Sequence, residues 1–134
     1  MDYTSAVDMW SAGCILAELM AADAVFKGNE EKDNGLYVNQ LYTIISRLGL
    51  PSSSATTLPT FPKWEKFWTA CGHMRQVSPL QNWLASRGCM LDAHAHHLLQ
   101  QMLDWDPSSR ISAAAALQHP FFDQAADARD GGRM

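Results

Sequence analysis

From Ser5 onward the chain alternates apolar stripes of helical period with short polar breaks rich in turn-forming residues. The first stripe is the densest. Between Ala6 and Met20, the residues Val7, Met9, Trp10, Cys14, Ile15, Leu16, Leu19 and Met20 fall on nearly every side of a helix. A helix that is apolar all round predicts burial within a larger core. Ser5 opens it, with Asp8 three residues later in capping-box spacing. Lys27 to Gly35 is polar, and Gly28, Asn29, Asn34 and Gly35 supply turn chemistry. A second helix is predicted from Leu36 to Leu48. Tyr37, Leu41, Ile44, Ile45 and Leu48 form its stripe, Gly49 stands at its C-cap and Pro51 blocks continuation.

Pro51 to Pro62 is a Ser/Thr/Pro-rich loop, longer than a simple connection requires. Trp64, Phe67, Trp68 and Cys71 then repeat at helical spacing up to Gly72, and a short helix after Pro79 carries Leu80, Trp83 and Leu84. Asp92 caps the next helix, whose inward face is Ala95, Leu98, Leu99, Met102 and Leu103. Asp106-Pro107 marks a turn, and Ser112 caps a last helix from Ala113 to about Gln118, limited by Pro120. Past Phe122 the chain is polar and reads as a frayed tail, residues 123–134. No segment has convincing strand alternation. The pattern predicts an all-α fold of short helices.

Composition narrows the class. The 134 residues are 47% hydrophobic and 18% charged, a globular balance. A net charge of −4 and the lack of a Lys/Arg run argue against nucleic acid or an anionic membrane as partner. Cys14, Cys71 and Cys89 are odd in number, with no Cys-x-x-Cys pair, which suits reduced thiols in the cytoplasm or nucleus. No signal peptide is evident, and the apolar segment Ala6–Ala22 is short for a membrane span.

Candidate chemistry is sparse. His94, His96 and His97 suggest a metal at first, but His96 and His97 fall opposite the apolar stripe and no cysteine or carboxylate has matching spacing, so solvated histidines are expected. No glycine-rich phosphate cradle exists, and no Gly-x-Ser-x-Gly elbow supports a nucleophile. Ser78-Pro79 has the form of a proline-directed phosphorylation site, or of an exposed turn. Two charges stand out. Asp8 lies in the most apolar helix, where a carboxylate needs hydrogen-bond partners, the simplest being its own helix N-terminus. Arg110, between Asp106-Pro107 and Ile111, is oddly placed for a cation unless something holds it.

These two charges stand in segments that identify a family. Asp8-Met9-Trp10-Ser11-Ala12-Gly13-Cys14-Ile15 resembles the large buried helix in the C-lobe of eukaryotic protein kinases. Asp106-Pro107-Ser108-Ser109-Arg110-Ile111-Ser112, followed by Ala116-Leu117-Gln118-His119-Pro120-Phe121-Phe122, resembles the end of the same domain. Phe26-x-Gly28, Leu48-Gly49-x-Pro51 and Phe61-Pro62-Lys63-Trp64 are similar to the group of cyclin-dependent and mitogen-activated kinases, the last segment most to the cyclin-dependent branch. The resemblance covers residues 3–122. Two stretches depart from it: Asn29 to Asn39 is longer than the family's loop, and Thr69 to Gln76 matches poorly.

The resemblance implies the C-terminal part of a kinase C-lobe over residues 1–122. It implies that Asp8 hydrogen-bonds the backbone of the catalytic loop. Arg110 would pair with the glutamate of the Ala-Pro-Glu segment, and Trp10 would pack beneath that segment. All three support an active site without performing phosphoryl transfer. Trp64, Phe67 and Trp68 are the candidate docking residues for protein partners: regulatory subunits, substrates or a cyclin. The complete family domain uses ATP and Mg²⁺, held by a Gly-rich loop, a strand lysine, a His-Arg-Asp loop and an Asp-Phe-Gly aspartate. None of these motifs occurs in this sequence, so no catalytic, cofactor-binding or metal residue is expected in it. Two readings follow: part of a protein serine/threonine kinase, inactive alone, or a non-catalytic interaction module derived from a kinase C-lobe.

Overall fold

In the computed structural model of the chain, which describes residues 5–28, 36–51 and 58–123, six α-helices and one 3₁₀ turn follow one another, residues 120–123 are helical as well, and there is no strand among the described residues. The helices are α1 (Ser5–Ala21), α2 (Val38–Leu48), α3 (Trp64–Cys71), α4 (Leu80–Ser86), α5 (Ala93–Met102) and α6 (Ala113–Leu117); the 3₁₀ turn is Leu58–Thr60. Several ends lie where local chemistry put them. Asp92 caps α5 by accepting a hydrogen bond from the Ala95 N–H at 2.8 Å, and Ser112 caps α6 by accepting from the Ala115 N–H at 3.1 Å. Gly49 follows α2 at φ 77°, a left-handed value that glycine alone adopts freely, and donates its N–H to the Ile45 carbonyl at 2.7 Å. Two ends differ from the sequence reading. α2 begins at Val38 rather than Leu36, and Ser5 is already helical, so the cap of α1 lies outside the described residues.

The chain divides into two compact units. The first joins residues 1–16 to residues 91–134 and thus contains most of α1 with α5 and α6. Its core is Met9, Leu98, Met102 and Ala116, with Ala12, Leu16, Ile111 and Phe121 packed against it. Gly13 sets how closely the helices meet: a Cβ there would lie 2.9 Å from Leu103 Cδ2 and 3.0 Å from Met102 Cβ. The five α5 residues expected to face inward (Ala95, Leu98, Leu99, Met102 and Leu103) are all buried.

The second unit spans residues 17–90. Here α2 packs on α3 and α4, and α3 packs on the 3₁₀ turn. Ile45, Leu58, Phe67, Cys71, Leu80, Trp83 and Leu84 are buried in it. Side chains of α2 also tie down the irregular stretch after α1. Gln40 Nε2–H donates to the Phe26 carbonyl at 2.6 Å, and the Thr43 hydroxyl donates to the Lys27 carbonyl at 2.7 Å. Burial pushes the Cys71 thiol up from its ordinary range, which leaves it an inert packing residue. None of the three cysteines is in a disulfide. No helix among the described residues is long and apolar enough to cross a membrane.

The first helix is apolar on every side but is not enclosed on every side. Met9, Gly13, Ala17 and Ala21 form its buried edge, whereas Val7, Ile15 and Leu19 are exposed, Leu19 at 76%. The described residues supply neighbours for one side of α1 only.

Candidate functional site

Arg110 is held by several groups of the first unit. It follows the tight turn at Asp104–Ser109, which is built from carboxylates turned onto their own backbone. Asp104 Oδ1 accepts from the Asp106 N–H at 2.9 Å, and Asp106 Oδ1 accepts from both the N–H and the hydroxyl of Ser108, at 2.9 and 2.7 Å. Asp106 is buried, so the turn is fixed. It delivers Arg110 to a set of backbone carbonyls. Nε and Nη2 donate to the Asp104 carbonyl at 2.9 and 2.7 Å, Nη2 also approaches the Trp105 carbonyl at 3.4 Å, and Nη1 donates to the Ala6 carbonyl of α1. The guanidinium carbon stands 5.1 Å from the centre of the Trp10 ring, and Trp10 in turn lies 6.3 Å from Trp105. Burial lowers the guanidinium's proton affinity, opposed by the nearby charges of Asp104, Asp106 and Cys14, but an arginine stays charged across any physiological range.

Two of the three residues singled out around α1, Trp10 and Arg110, therefore meet; the third does not join them. The sequence reading expects a cation that needs an upstream carboxylate. The structure gives Arg110 carbonyl partners within this chain. Asp8 is also read differently: it is exposed, on the open side of α1 with Val7, Ser11 and Ile15, so water rather than a buried partner solvates it. A helix that is apolar all round suits a core larger than the one the described residues supply.

The aromatic helix of the second unit has its own geometry. Phe61-Pro62-Lys63-Trp64 forms a turn closed by the Trp64 N–H donating to the Phe61 carbonyl at 3.2 Å, with Lys63 in the left-handed region at φ 69°. That turn throws Trp64 onto α3, where it lies 5.5 Å from Phe67 and stacks on Trp68 at 5.7 Å and 22°. The three rings are not equivalent. Phe67 is buried core, Trp64 is half-buried and Trp68 is 47% exposed. A surface cleft of about 380 Å³ opens beside them, lined by Pro59, Phe61, Lys63, Trp64, Glu65 and Lys66. The Ser/Thr-rich loop at residues 52–57, the long loop at residues 29–35 and the tail at residues 124–134 lie outside the described residues.

His94 and His97 have the exposure expected of solvated histidines, and His96, half-buried, has less. No group of three His, Cys, Asp or Glu among the described residues is arranged to hold a metal. What the sequence reading missed is His119. It is buried, stacks against His97 at 5.1 Å and places Nε2 2.8 Å from His97 Nδ1. Its Nδ1 accepts the Phe121 N–H at 3.1 Å. A ring nitrogen that accepts cannot also carry a proton, so Nε2 carries it and donates to His97 Nδ1. That tautomer excludes a metal at Nε2. The signal in the sequence was a histidine directly before Pro120 and two aromatics, where a turn returns the ring toward its own backbone.

The protein kinase domain family matches residues 1–122 of the chain. Among curated proteins, a serine/threonine-protein kinase SSN3 of Coccidioides immitis is 38% identical over 142 residues, covering 90% of this chain and 30% of that protein. The cell division control protein 2 homolog 3 of Trypanosoma brucei brucei is 40% identical over 133 residues, covering 92% of this chain and 36% of that protein. The solved structure of the MAP kinase LmaMPK10 from Leishmania major superposes with a TM-score of 0.70 at 29% identity, over 91% of this chain and 33% of that one. The chain spans about a third of the length of the curated relatives it matches.

Proposed function

This chain belongs to the protein kinase family, and on that premise we propose that it forms the C-terminal part of the C-lobe of a cyclin-dependent-type serine/threonine kinase. The whole enzyme would transfer the ATP γ-phosphate to protein Ser or Thr. These residues would hold the catalytic segments in place rather than perform the transfer. The observation that carries this reading is the open side of α1. Val7, Ile15 and Leu19 leave an apolar strip exposed, and Asp8 stands on the same side. The resemblance assigns that carboxylate to the backbone of the catalytic loop, and an apolar strip beside it suits a packed neighbour. Trp10 and Arg110 brace the N-terminal end of the same helix, through the indole face and the Ala6 carbonyl.

On this reading the 134-residue chain by itself neither binds ATP–Mg²⁺ nor phosphorylates protein, because phosphate and metal need the Gly-rich loop and acidic ligands that its sequence lacks. Calorimetric titration of the purified chain with ATP–Mg²⁺ is expected to show no saturable heat. Saturable binding that survives removal of contaminating kinases would overturn the reading.

A second reading, a protein-interaction module, is favoured by one feature: Trp68 is nearly half exposed beside the 380 Å³ cleft, and tryptophan is enriched at interface hot spots. In the resembling kinases this region contacts small regulatory subunits. Trp68→Ala is expected to weaken binding of such a subunit by about tenfold or more, while Trp68→Phe keeps most of it. Equal affinities of the wild-type chain and Trp68→Ala, with unchanged helical circular dichroism, would sink the docking role.

A further inference from the structure

Arg47, in the last turn of α2, is a cation that no carboxylate among the described residues pairs with. Its Nε is buried and, among the described residues, has no hydrogen-bond partner. Its Nη1 has only long contacts, 3.4 Å to the Ser78 carbonyl and 3.5 Å to the Ser46 hydroxyl. The guanidinium carbon lies 5.2 Å from the centre of the Trp83 ring, and that of Arg87 lies 5.5 Å from the same ring. Two like charges therefore share one indole. Arg87 is answered by Asp23 at 3.0 Å, which also holds Lys27 at 2.8 Å. Among the described residues no carboxylate pairs with Arg47 in this way. Burial and the charge of Arg87 both lower its proton affinity, so the site as it stands works against the charge it contains.

The segment that Arg47 touches is the one part of the sequence with an unassigned modification motif. Ser78 precedes Pro79, which sits at φ −52° and ψ 147°, the extended conformation in which Ser-Pro motifs are presented. The residues leading to it, Arg75, Gln76 and Val77, are exposed, and residues 74–79 have no regular structure. Two hydrogen bonds dock the segment on α2: the Ser78 N–H donates to the Ser46 carbonyl at 3.0 Å, and Gln76 Nε2–H donates to the Arg47 carbonyl at 2.9 Å. The backbone of Ser78 is thus tied to the turn that carries Arg47.

We propose that Ser78 is a phosphorylation site and that Arg47 reads its phosphate, with Arg87 across the Trp83 ring as a second source of positive field. A phosphoserine brings about 1.5–2 negative charges and three acceptor oxygens, which are what the Arg47 guanidinium lacks. The step is a transfer from ATP catalysed by a separate proline-directed kinase. The Ser78 Oγ–P bond forms, the bond from the γ-phosphorus to the bridging oxygen breaks, ADP leaves, and the hydroxyl proton passes to that kinase's base. The phosphate then pins residues 74–79 to α2 more firmly than the two existing hydrogen bonds do. This inference is independent of whether the chain works within a complete kinase or as an interaction module.

The full chain is treated with a proline-directed kinase and ATP, the modified residue is located by mass spectrometry, and the phosphate is titrated by ³¹P resonance. Phosphate is expected at Ser78, and its second ionisation is expected about half a unit below the ~6 of an unpaired phosphoserine. Arg47→Gln, checked for retained helix by circular dichroism, is expected to accept phosphate equally and return the ionisation to ~6. Absence of phosphate at Ser78 would overturn the proposal, as would an unshifted titration or a shift that Arg47→Gln leaves intact. A parallel arm adds inorganic phosphate to the unmodified chain and follows the Arg47 side-chain resonances. Saturation at millimolar phosphate would make the site a general anion pocket and remove Ser78 as its source.

Discussion

Replacing Arg110 by alanine is expected to lower the stability of the chain by about 3 kcal/mol, the largest effect of any single substitution considered for it. The guanidinium donates to the carbonyls of Asp104 and Ala6, approaches that of Trp105 and lies on the face of Trp10. Removing it strands three acceptors and opens the packing over an indole. Charge-assisted hydrogen bonds contribute about 1.5–3 kcal/mol each when buried, but Arg110 is half-buried, so water replaces part of what is lost. Arg110→Lys should recover less than half, because a single ammonium cannot span carbonyls from two segments as a planar fork does. Urea titration of the three proteins measures this directly. A loss below about 0.5 kcal/mol for the alanine variant, the range of ordinary surface substitutions, would show that the carbonyl cluster is well solvated without the arginine.

Acidification should also loosen the first unit, through His119. Burial, followed by the neighbouring His97 and His94, lowers its pKa from the ordinary 6.5. The hydrogen bond from the Phe121 N–H acts in the same direction, since Nδ1 cannot accept that bond and hold a proton together. The folded state therefore binds fewer protons at His119 than the unfolded state does. Its contribution to stability is complete above about pH 6.5 and is lost as pH falls below that value toward the depressed folded pKa. The thermal midpoint at pH 5.5 is expected to lie about 2–4 °C below that at pH 7.5. His119→Asn offers an oxygen near the position of Nδ1 and cannot titrate, so it should flatten the dependence while keeping the Phe121 contact. An equally steep dependence in His119→Asn would assign the effect to other groups.

What the sequence made legible was local. Asp92 and Ser112 cap helices because a side-chain oxygen two or three residues from an orphan N–H needs no tertiary partner. The stripe Ala95–Leu103 was readable for the same reason, as was the left-handed Gly49. The all-helical class followed from these pieces. The site residues were harder, because their partners are distant in the chain. Arg110 reaches a carbonyl 104 positions away, and no spacing rule predicts that contact. For Asp8, periodicity shows that α1 is apolar all round but not which neighbours are present to cover it. Phe67, grouped by its helical spacing with Trp64 and Trp68, proved to be core, since an eight-residue helix turns only part of its aromatic stripe outward. His119 and Arg47 were invisible to pattern reading, since a ring-to-backbone hydrogen bond and the setting of a guanidinium against an indole leave no trace in residue spacing.

The first unit is discontinuous, made of residues 1–16 and 91–134 with the second unit spliced between them. On a ribosome, the N-terminal half of α1 emerges before residues 17–90 and then waits while all of them are translated. The second unit, contiguous in sequence, can condense during that interval. The N-terminal half of α1 cannot, because Leu98, Met102 and Ala116 have not yet been made. At about 5–20 residues per second, Met9 and Trp10 spend several seconds without their partners, and closing so long a loop adds its own entropic cost. Holdase chaperones that bind apolar helical segments would therefore be expected to engage the nascent chain at Val7–Leu19 and to let go once α5 and α6 have cleared the exit tunnel.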